Sequence, residues 1–82
     1  MGANLQMKNR YLVVHDYGMG GVWAVIRAQS DGEILSRFPT LKIASDRPAW
    51  MDDAEYAKIV AESDFDIDAI PPEHWLAKLN AP

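Results

Sequence analysis

Two apolar runs separated by a short glycine-rich stretch constrain the fold of this chain more than any other feature. Residues 10–17 and 22–28 are rich in Val, Ile, Tyr and Trp, which suit the pleated surface of a β-strand. The stretch between them contains Gly18, Gly20 and Gly21. Because glycine readily adopts the positive φ angles of tight turns, the sequence predicts a β-hairpin with Gly20 or Gly21 at positive φ.

Both faces of the predicted hairpin are largely apolar. With Tyr17 opposite Val22, strand alternation divides the side chains into two sets. The first face carries Tyr11, Val13, His15, Tyr17, Val22, Ala24, Ile26 and Ala28. The second face carries Leu12, Val14, Asp16, Trp23, Val25 and Arg27. A hairpin with one solvated side needs only one apolar face. Either helices cover both faces, or one face is kept for a partner.

Local signals after the hairpin predict a short helix, a third strand and a longer helix. Ser30 followed by Glu33 forms a capping-box pattern that begins a helix over 31–37. Alternating apolar residues over 40–45 predict a strand beside the hairpin. An aspartate, Asp52 or Asp53, caps a main helix over 52–63.

The end of the chain predicts less regular structure. The main helix should bury Tyr56, Ile59 and Val60 against the more apolar face of the sheet. An extended acidic segment follows, and a short C-terminal helix over 72–79 begins after two prolines. The fold class is therefore α+β, in the order ββαβα, with residues 7–82 as one domain and residues 1–6 as a disordered N-terminal extension.

Composition excludes several classes of function. The 82 residues contain no cysteine, so a disulfide scaffold, a thiol nucleophile and a cysteine-bearing zinc site are excluded. No run approaches the ~18 apolar residues of a membrane span, and the start lacks a signal-peptide pattern. The sequence predicts a soluble cytoplasmic protein, and its small size leaves a homodimer open.

Charge is distributed unevenly along the chain. Residues 1–45 carry a formal charge of +2, residues 46–82 carry −6, and the total is −4. A net negative charge disfavours binding to nucleic acid, whereas the acidic half would attract a protein partner with a basic surface. Asp64, Asp66 and Asp68 alternate with apolar residues, so we expect their carboxylates to point outward and to contribute to such a surface.

The hairpin tip holds the residues that most resemble a catalytic or ligand site. His15 beside Asp16 suggests a general base oriented by a carboxylate, and a glycine loop can approach an anion closely. Adjacent strand residues point to opposite faces, however, and phosphate loops lead into a helix rather than a strand. We therefore predict no catalytic set here. His74, the other histidine, is expected at the surface.

The acidic segment also resembles the start of a calcium loop, with Asp64, Asp66 and Asp68 at the first three ligand positions. The positions that require glycine and glutamate hold Ala69 and Trp75. No metal site and no cofactor are therefore predicted.

Three tryptophans complete the candidate features. We expect Trp50 and Trp75 in the core and assign Trp23, on the second hairpin face, to a partner surface. The first hypothesis is a non-enzymatic protein-binding module, an inhibitor, immunity or accessory protein, that uses the acidic half and exposed aromatics and binds a basic partner or itself. The alternative is a small enzyme or ligand-binding domain that uses His15, Asp16, Tyr17 and the loop over 18–21.

Overall fold

Strands and helices alternate along the chain after an initial hairpin. The computed structural model describes residues 8–18 and 20–79, and the predicted extension at 1–6 lies outside them. The elements are β1 (Asn9–Asp16), β2 (Gly21–Ala28), α1 (Asp31–Arg37), β3 (Lys42–Ala44), α2 (Asp53–Glu62), β4 (Asp64–Asp66) and a terminal 3₁₀ helix (Trp75–Leu79). The α+β prediction is confirmed, and the acidic segment supplies a fourth, short strand.

The strands form one mixed sheet in the order β3-β1-β2-β4. β1 pairs antiparallel with β2 and β3, and β4 pairs parallel with β2. His15, rather than Tyr17, lies opposite Val22. The predicted pairing is therefore wrong by two residues, because the loop spans residues 17–20 instead of 18–21. Within this loop the Tyr17 N–H donates to the Gly20 carbonyl at 3.1 Å. A shift of two leaves the side chains on their predicted faces.

Helices cover both faces of this sheet. The connections from β2 to β3 through α1 and from β3 to β4 through α2 join parallel strands but cross the sheet in opposite directions. Two right-handed crossovers that run in opposite directions place their helices on opposite faces. Of the two alternatives that the apolar faces left open, the structure has the first.

The main core lies on the first face. Val13, Ala24 and Ile26 from the hairpin are fully buried there, and Ile34 of α1 and Leu76 of the terminal 3₁₀ helix pack against them. On the second face Val25 is equally buried, and α2 is the helix that covers it. The longer helix therefore lies on the more polar face, contrary to expectation, because α1 and the 3₁₀ helix already fill the first.

This position explains why α2 buries less than predicted. Tyr56, Ile59 and Val60 are only half-buried, and no residue of the helix is fully buried. The second face of the sheet carries Arg10 and Arg27 beside its apolar residues, so it offers α2 a smaller apolar surface. The prediction that the three residues are buried is wrong in degree.

The predicted helix starts are confirmed in atomic detail. Ser30 Oγ accepts the Glu33 N–H at 3.1 Å, and Glu33 Oε1 accepts the Gln29 N–H at 2.8 Å. Asp52 Oδ1 accepts the Glu55 N–H at 2.9 Å. These bonds satisfy backbone donors that a helix start otherwise leaves free. In the ranges 8–18 and 20–79, no helix has the length and apolar character to cross a bilayer.

Candidate functional site

The hairpin tip is held by one carboxylate and two unusual backbone conformations. Asp16 Oδ1 accepts the Gly18 N–H at 2.8 Å, which tightens the turn. Gly18 has φ +93° and Gly20 has φ +151°, both in the region that favours glycine. The prediction of positive φ is confirmed for Gly20, whereas Gly21 begins β2 without it.

A groove of about 370 Å³ lies beside this tip on the second face of the sheet. It is lined by Val14, Asp16, Gly18, Gly20, Gly21, Trp23 and Lys42. We call these seven residues the hairpin groove. A Cβ at Gly21 would lie 2.8 Å from Val14 Cγ2 and 3.3 Å from the His15 carbonyl oxygen. Glycine is therefore required there by close packing, and not by its φ angle.

Two tryptophans meet beside the hairpin groove. The rings of Trp23 and Trp50 form an edge-to-face pair with centroids 5.7 Å apart and planes at 75°, a geometry that the aromatic quadrupole favours. Trp50 is 56% exposed, so its predicted place in the core is wrong. It lies in the turn before α2, and the sequence signal was Pro48 two residues earlier, which favours a surface turn. Tyr17 at the tip is also exposed.

The structure brings together five of the residues predicted for binding. Asp16, Gly18, Gly20, Gly21 and Trp23 all line the hairpin groove. Tyr17 lies exposed at the tip nearby. The remaining four, His15, Asp64, Asp66 and Asp68, lie elsewhere in the fold.

His15 belongs to the first face, opposite to Asp16. Its ring centroid lies 6.5 Å from that of Trp75. Its Nδ1 atom is buried, with no hydrogen-bond partner in the part of the chain that the structure describes. Since the two neighbouring side chains point to opposite faces, Asp16 does not orient the imidazole, as strand alternation predicts.

The acidic segment is paired with basic residues of the same chain. Asp64 Oδ1 lies 3.1 Å from Arg27 Nε, and Asp66 Oδ1 lies 2.8 Å from Lys8 Nζ. Lys8 and Arg37 both contact Asp68 at 3.1 Å. The expectation that all three carboxylates point freely outward is therefore wrong, because strand pairing of β4 with β2 brings the acidic segment alongside the basic N-terminal half.

These contacts also alter proton affinity. The hydrogen bond from Lys8, with help from the Asp68 N–H, holds the pKa of Asp66 below its usual value. The same carboxylates raise the pKa of Lys8. Both effects occur at well-solvated groups, so solvent screens much of the interaction.

The sequence did not predict a contact between a serine and a histidine. Ser63, which is buried at the end of α2, lies with its Oγ 3.0 Å from His74 Nε2. His74 Nδ1 accepts the Leu76 N–H at 3.1 Å, so the proton of the neutral ring is on Nε2 and is donated to Ser63. Burial lowers the pKa of His74, against an opposing effect of Glu73.

This tautomer decides what the pair can do. A histidine that activates a serine must accept the hydroxyl proton at the nitrogen that faces the serine. Here that nitrogen is a donor, so the pair joins the end of α2 to the terminal 3₁₀ helix and does not generate a nucleophile. The prediction that His74 is a surface residue is wrong in degree, because the residue is half-buried, and no local pattern indicates a partner eleven residues away.

No group of three or more potential metal-ligating side chains occurs within residues 8–18 and 20–79. Comparison of the chain with protein-family models, curated proteins and solved structures finds no match.

Proposed function

We propose that this protein is a non-enzymatic protein-binding domain and that the hairpin groove with Trp50 is its contact surface. The observation that carries the proposal is the edge-to-face pair of Trp23 and Trp50, whose outer ring is exposed beside a groove. Tryptophans with this combination of fixed orientation and exposed area are frequent among the residues that dominate binding energy.

The arrangement favours binding because little order has to be gained. Trp23 is held in β2, which forms the longest strand pairing of the sheet with β1, and Trp50 packs against Trp23. A partner side chain that covers Trp50 therefore removes apolar surface from water without immobilising a flexible anchor. Gly18, Gly20 and Gly21 line the groove and carry no side chains that would fill it.

The proposed partner has a basic rim around an apolar anchor, or is a second copy of the chain. Asp52 and Asp53 follow Trp50 closely in sequence, and both are exposed: Asp52 caps α2, and Asp53, which pairs with Arg47, has a side chain that is 96% exposed. Because the carboxylates over 64–68 already have partners within the chain, we assign them a smaller part than the sequence indicated. A cytoplasmic location belongs to the same proposal and is consistent with the lack of cysteine.

The alternative, an enzyme or ligand-binding domain that uses His15, Asp16, Tyr17 and the loop over 18–21, has less support. His15 and Asp16 lie on opposite faces of the sheet, so they do not form a base with its orienting acid. Asp16 is occupied by the Gly18 N–H and has Lys42 Nζ at 4.0 Å. Its role is to shape the turn.

The proposal is tested with Trp50→Ala, using Leu35→Ala as the matched control, since Leu35 is an exposed apolar residue on α1. Partners are recovered from native cells with each immobilised variant, and self-association is measured by light scattering. We expect wild type and Leu35→Ala to retain one salt-sensitive partner or a dimer, and Trp50→Ala to lose it at least about tenfold.

Thermal unfolding of each variant shows that the fold is retained. Equal binding by Trp50→Ala and wild type would refute the role of the groove. A monomer that recovers no partner in any variant would refute the proposed function itself.

A further inference from the structure

A second concave site lies where β1 begins and β3 ends. It is an open cleft of about 830 Å³, bordered by the start of α2 and the start of α1. β3 ends at Ala44, opposite Leu12, and the chain then turns away toward α2. None of residues 8–18 and 20–79 consequently forms a strand beside Arg10 on that side, and the cleft occupies the space that a longer β3 would fill.

The backbone of Arg10 faces this space. Val25 donates to Ser63, and Arg27 accepts from Ile67, so the odd-numbered residues of β2 direct their backbone groups toward β4. Alternation then directs the even-numbered residues of β1 toward β3. Arg10 therefore presents an N–H and a C=O to the cleft, in addition to its guanidinium.

The topology gives an independent reason for a cleft at this place. β2 and β3 are parallel, and their carboxyl ends lie at the same end of the sheet. From those ends the chain leaves to α1 on one face and to α2 on the other. Diverging connections of this kind leave a crevice outside the carboxyl ends of the strands, where ligands of open α/β sheets bind.

Among the described residues, not all charges of the cleft are paired. Arg47 lies 2.9 Å from Asp53 and stacks over the Tyr56 ring at 5.1 Å, so this arginine is already engaged. Arg10 Nη2 forms a longer ion pair, 3.7 Å from Asp64 Oδ2 and beyond hydrogen-bond distance, and the Arg10 side chain is 58% exposed. Asp31 and Asp46 form no salt bridge within the described ranges.

We propose that this cleft binds a free basic amino acid. Among the described residues, the charged groups of the cleft without a hydrogen-bonded ionic partner are one cation, Arg10, whose pair with Asp64 is long, and two anions, Asp31 and Asp46. Their complement is a small molecule with one carboxylate and two cationic groups, which is the charge pattern of arginine or lysine at neutral pH. The carboxylate binds the Arg10 guanidinium, and the cationic groups bind the two aspartates.

The apolar part of the cleft fits the rest of such a ligand. Tyr11 and Ile43, which lie on the first face, line it and can cover the aliphatic stem of a basic side chain, and Leu12 lines it from the second face. The volume lies within the range of roughly 300–1,000 Å³ that small-molecule sites occupy. Because the cleft is open to solvent, screening keeps the affinity low, with a Kd on the order of 1 mM.

The test is an NMR titration of the full chain with arginine and two analogues. Agmatine lacks the carboxylate, and citrulline lacks the side-chain cation. We expect arginine to shift the amide resonances of Tyr11, Ala44 and Tyr56 saturably, and each analogue to bind roughly tenfold more weakly, about the loss of one charged contact.

Two variants assign the contacts, with Glu62→Gln as the control because Glu62 is an exposed acid at the far end of α2. Arg10→Gln should weaken arginine binding and leave agmatine binding unchanged. Asp46→Asn should weaken arginine binding, whereas Glu62→Gln should not. Asp46 lies in an exposed bend, so its variant is expected to fold.

No saturable shift of the cleft resonances at ~10 mM arginine, or equal binding of arginine and both analogues, would overturn the proposal. Equal losses in Asp46→Asn and Glu62→Gln would do the same. The site does not include Trp50, so Trp50→Ala should titrate like wild type, which separates failure of this proposal from failure of the proposed function.

Discussion

Replacing Asp64 by asparagine should destabilise the fold, whereas the same change at Asp68 should have little effect. The Asp64 side chain is 14% exposed, and its two oxygens face Arg27 at 3.1 Å and Arg10 at 3.7 Å. The Asp68 side chain is 57% exposed, and its partners are Lys8 and Arg37. The two aspartates are four residues apart in one acidic segment. Comparing the two variants therefore separates the effect of burial from the effect of removing a charge.

The expected loss at Asp64 follows from the contacts. A hydrogen bond to a charged group contributes about 1.5–3 kcal/mol. Arg27 and Arg10 are each about half exposed, so water replaces part of this, and we expect a loss of ~1–2 kcal/mol. Arg10 and Arg27 also lie directly opposite each other on β1 and β2, and without Asp64 their repulsion is no longer offset. An exposed pair such as that of Asp68 contributes ~0–1 kcal/mol.

Urea unfolding at pH 7 measures both variants, at low salt and again in 1 M NaCl to screen exposed charges. The loss of stability in Asp64→Asn should remain largely unchanged at high salt, whereas the small loss of stability in Asp68→Asn should disappear. A double-mutant cycle with Arg27→Gln gives the coupling of the pair. If Asp64→Asn is as stable as wild type, or no less stable than Asp68→Asn, the internal pairing does not support the fold as described.

Further predictions concern packing, glycine and pH. Gly21→Ala should lower the free energy of unfolding by ~1–3 kcal/mol, because the new Cβ would meet Val14. Gly32→Ala in α1, where the new Cβ would meet only Ser30 Oγ at 3.7 Å, should be neutral or stabilise the fold by up to ~1 kcal/mol. An equal loss of stability in both variants would contradict the steric reason. Leu76→Ala should lower the free energy of unfolding by ~2–5 kcal/mol, because Leu76 is fully buried. Ile59→Ala should lower it by only ~1–2 kcal/mol, because Ile59 is half-buried. The reverse order in chemical unfolding would mean that the second face is the main core. Burial lowers the pKa of His74, so the unfolded chain binds a proton more readily than the folded chain does. The free energy of unfolding should therefore fall as the pH drops below 6.5 and level off below the folded-state pKa. Urea midpoints between pH 8 and 4 should show this slope in wild type and a smaller slope in His74→Gln.

Features set by neighbouring residues could be predicted from the sequence. The hairpin, both N-caps and the faces of β1 and β2 depend on residues a few positions apart, such as Ser30 with Glu33. The exact pairing of the hairpin was not predictable, because loops over 17–20 and 18–21 both hold enough glycine to close the turn. The bond between Tyr17 and Gly20 and the pairing of Asp16 with Gly21 distinguish them.

Features that depend on the strand order were not predictable. Lys8 and Asp66 are separated by 58 positions, and they meet only because β4 lies beside β2. The sequence therefore indicated a free acidic surface where the structure has paired charges. The cleft at Arg10 depends on how far β3 extends, and β3 is three residues long instead of the predicted six.

The length of β3 also determines how the two candidate sites are related. Lys42 at its start lines the hairpin groove, and Ala44 at its end lines the cleft. The neighbouring residues of β1, Val14 and Leu12, divide between the sites in the same way. β1 is fixed on its other side by eight pairings to β2, whereas β3 is an edge strand that pairs with three residues of β1. Displacement of β3 is therefore one route by which an occupied groove and an occupied cleft could be coupled, and by linkage the coupling would act equally in both directions.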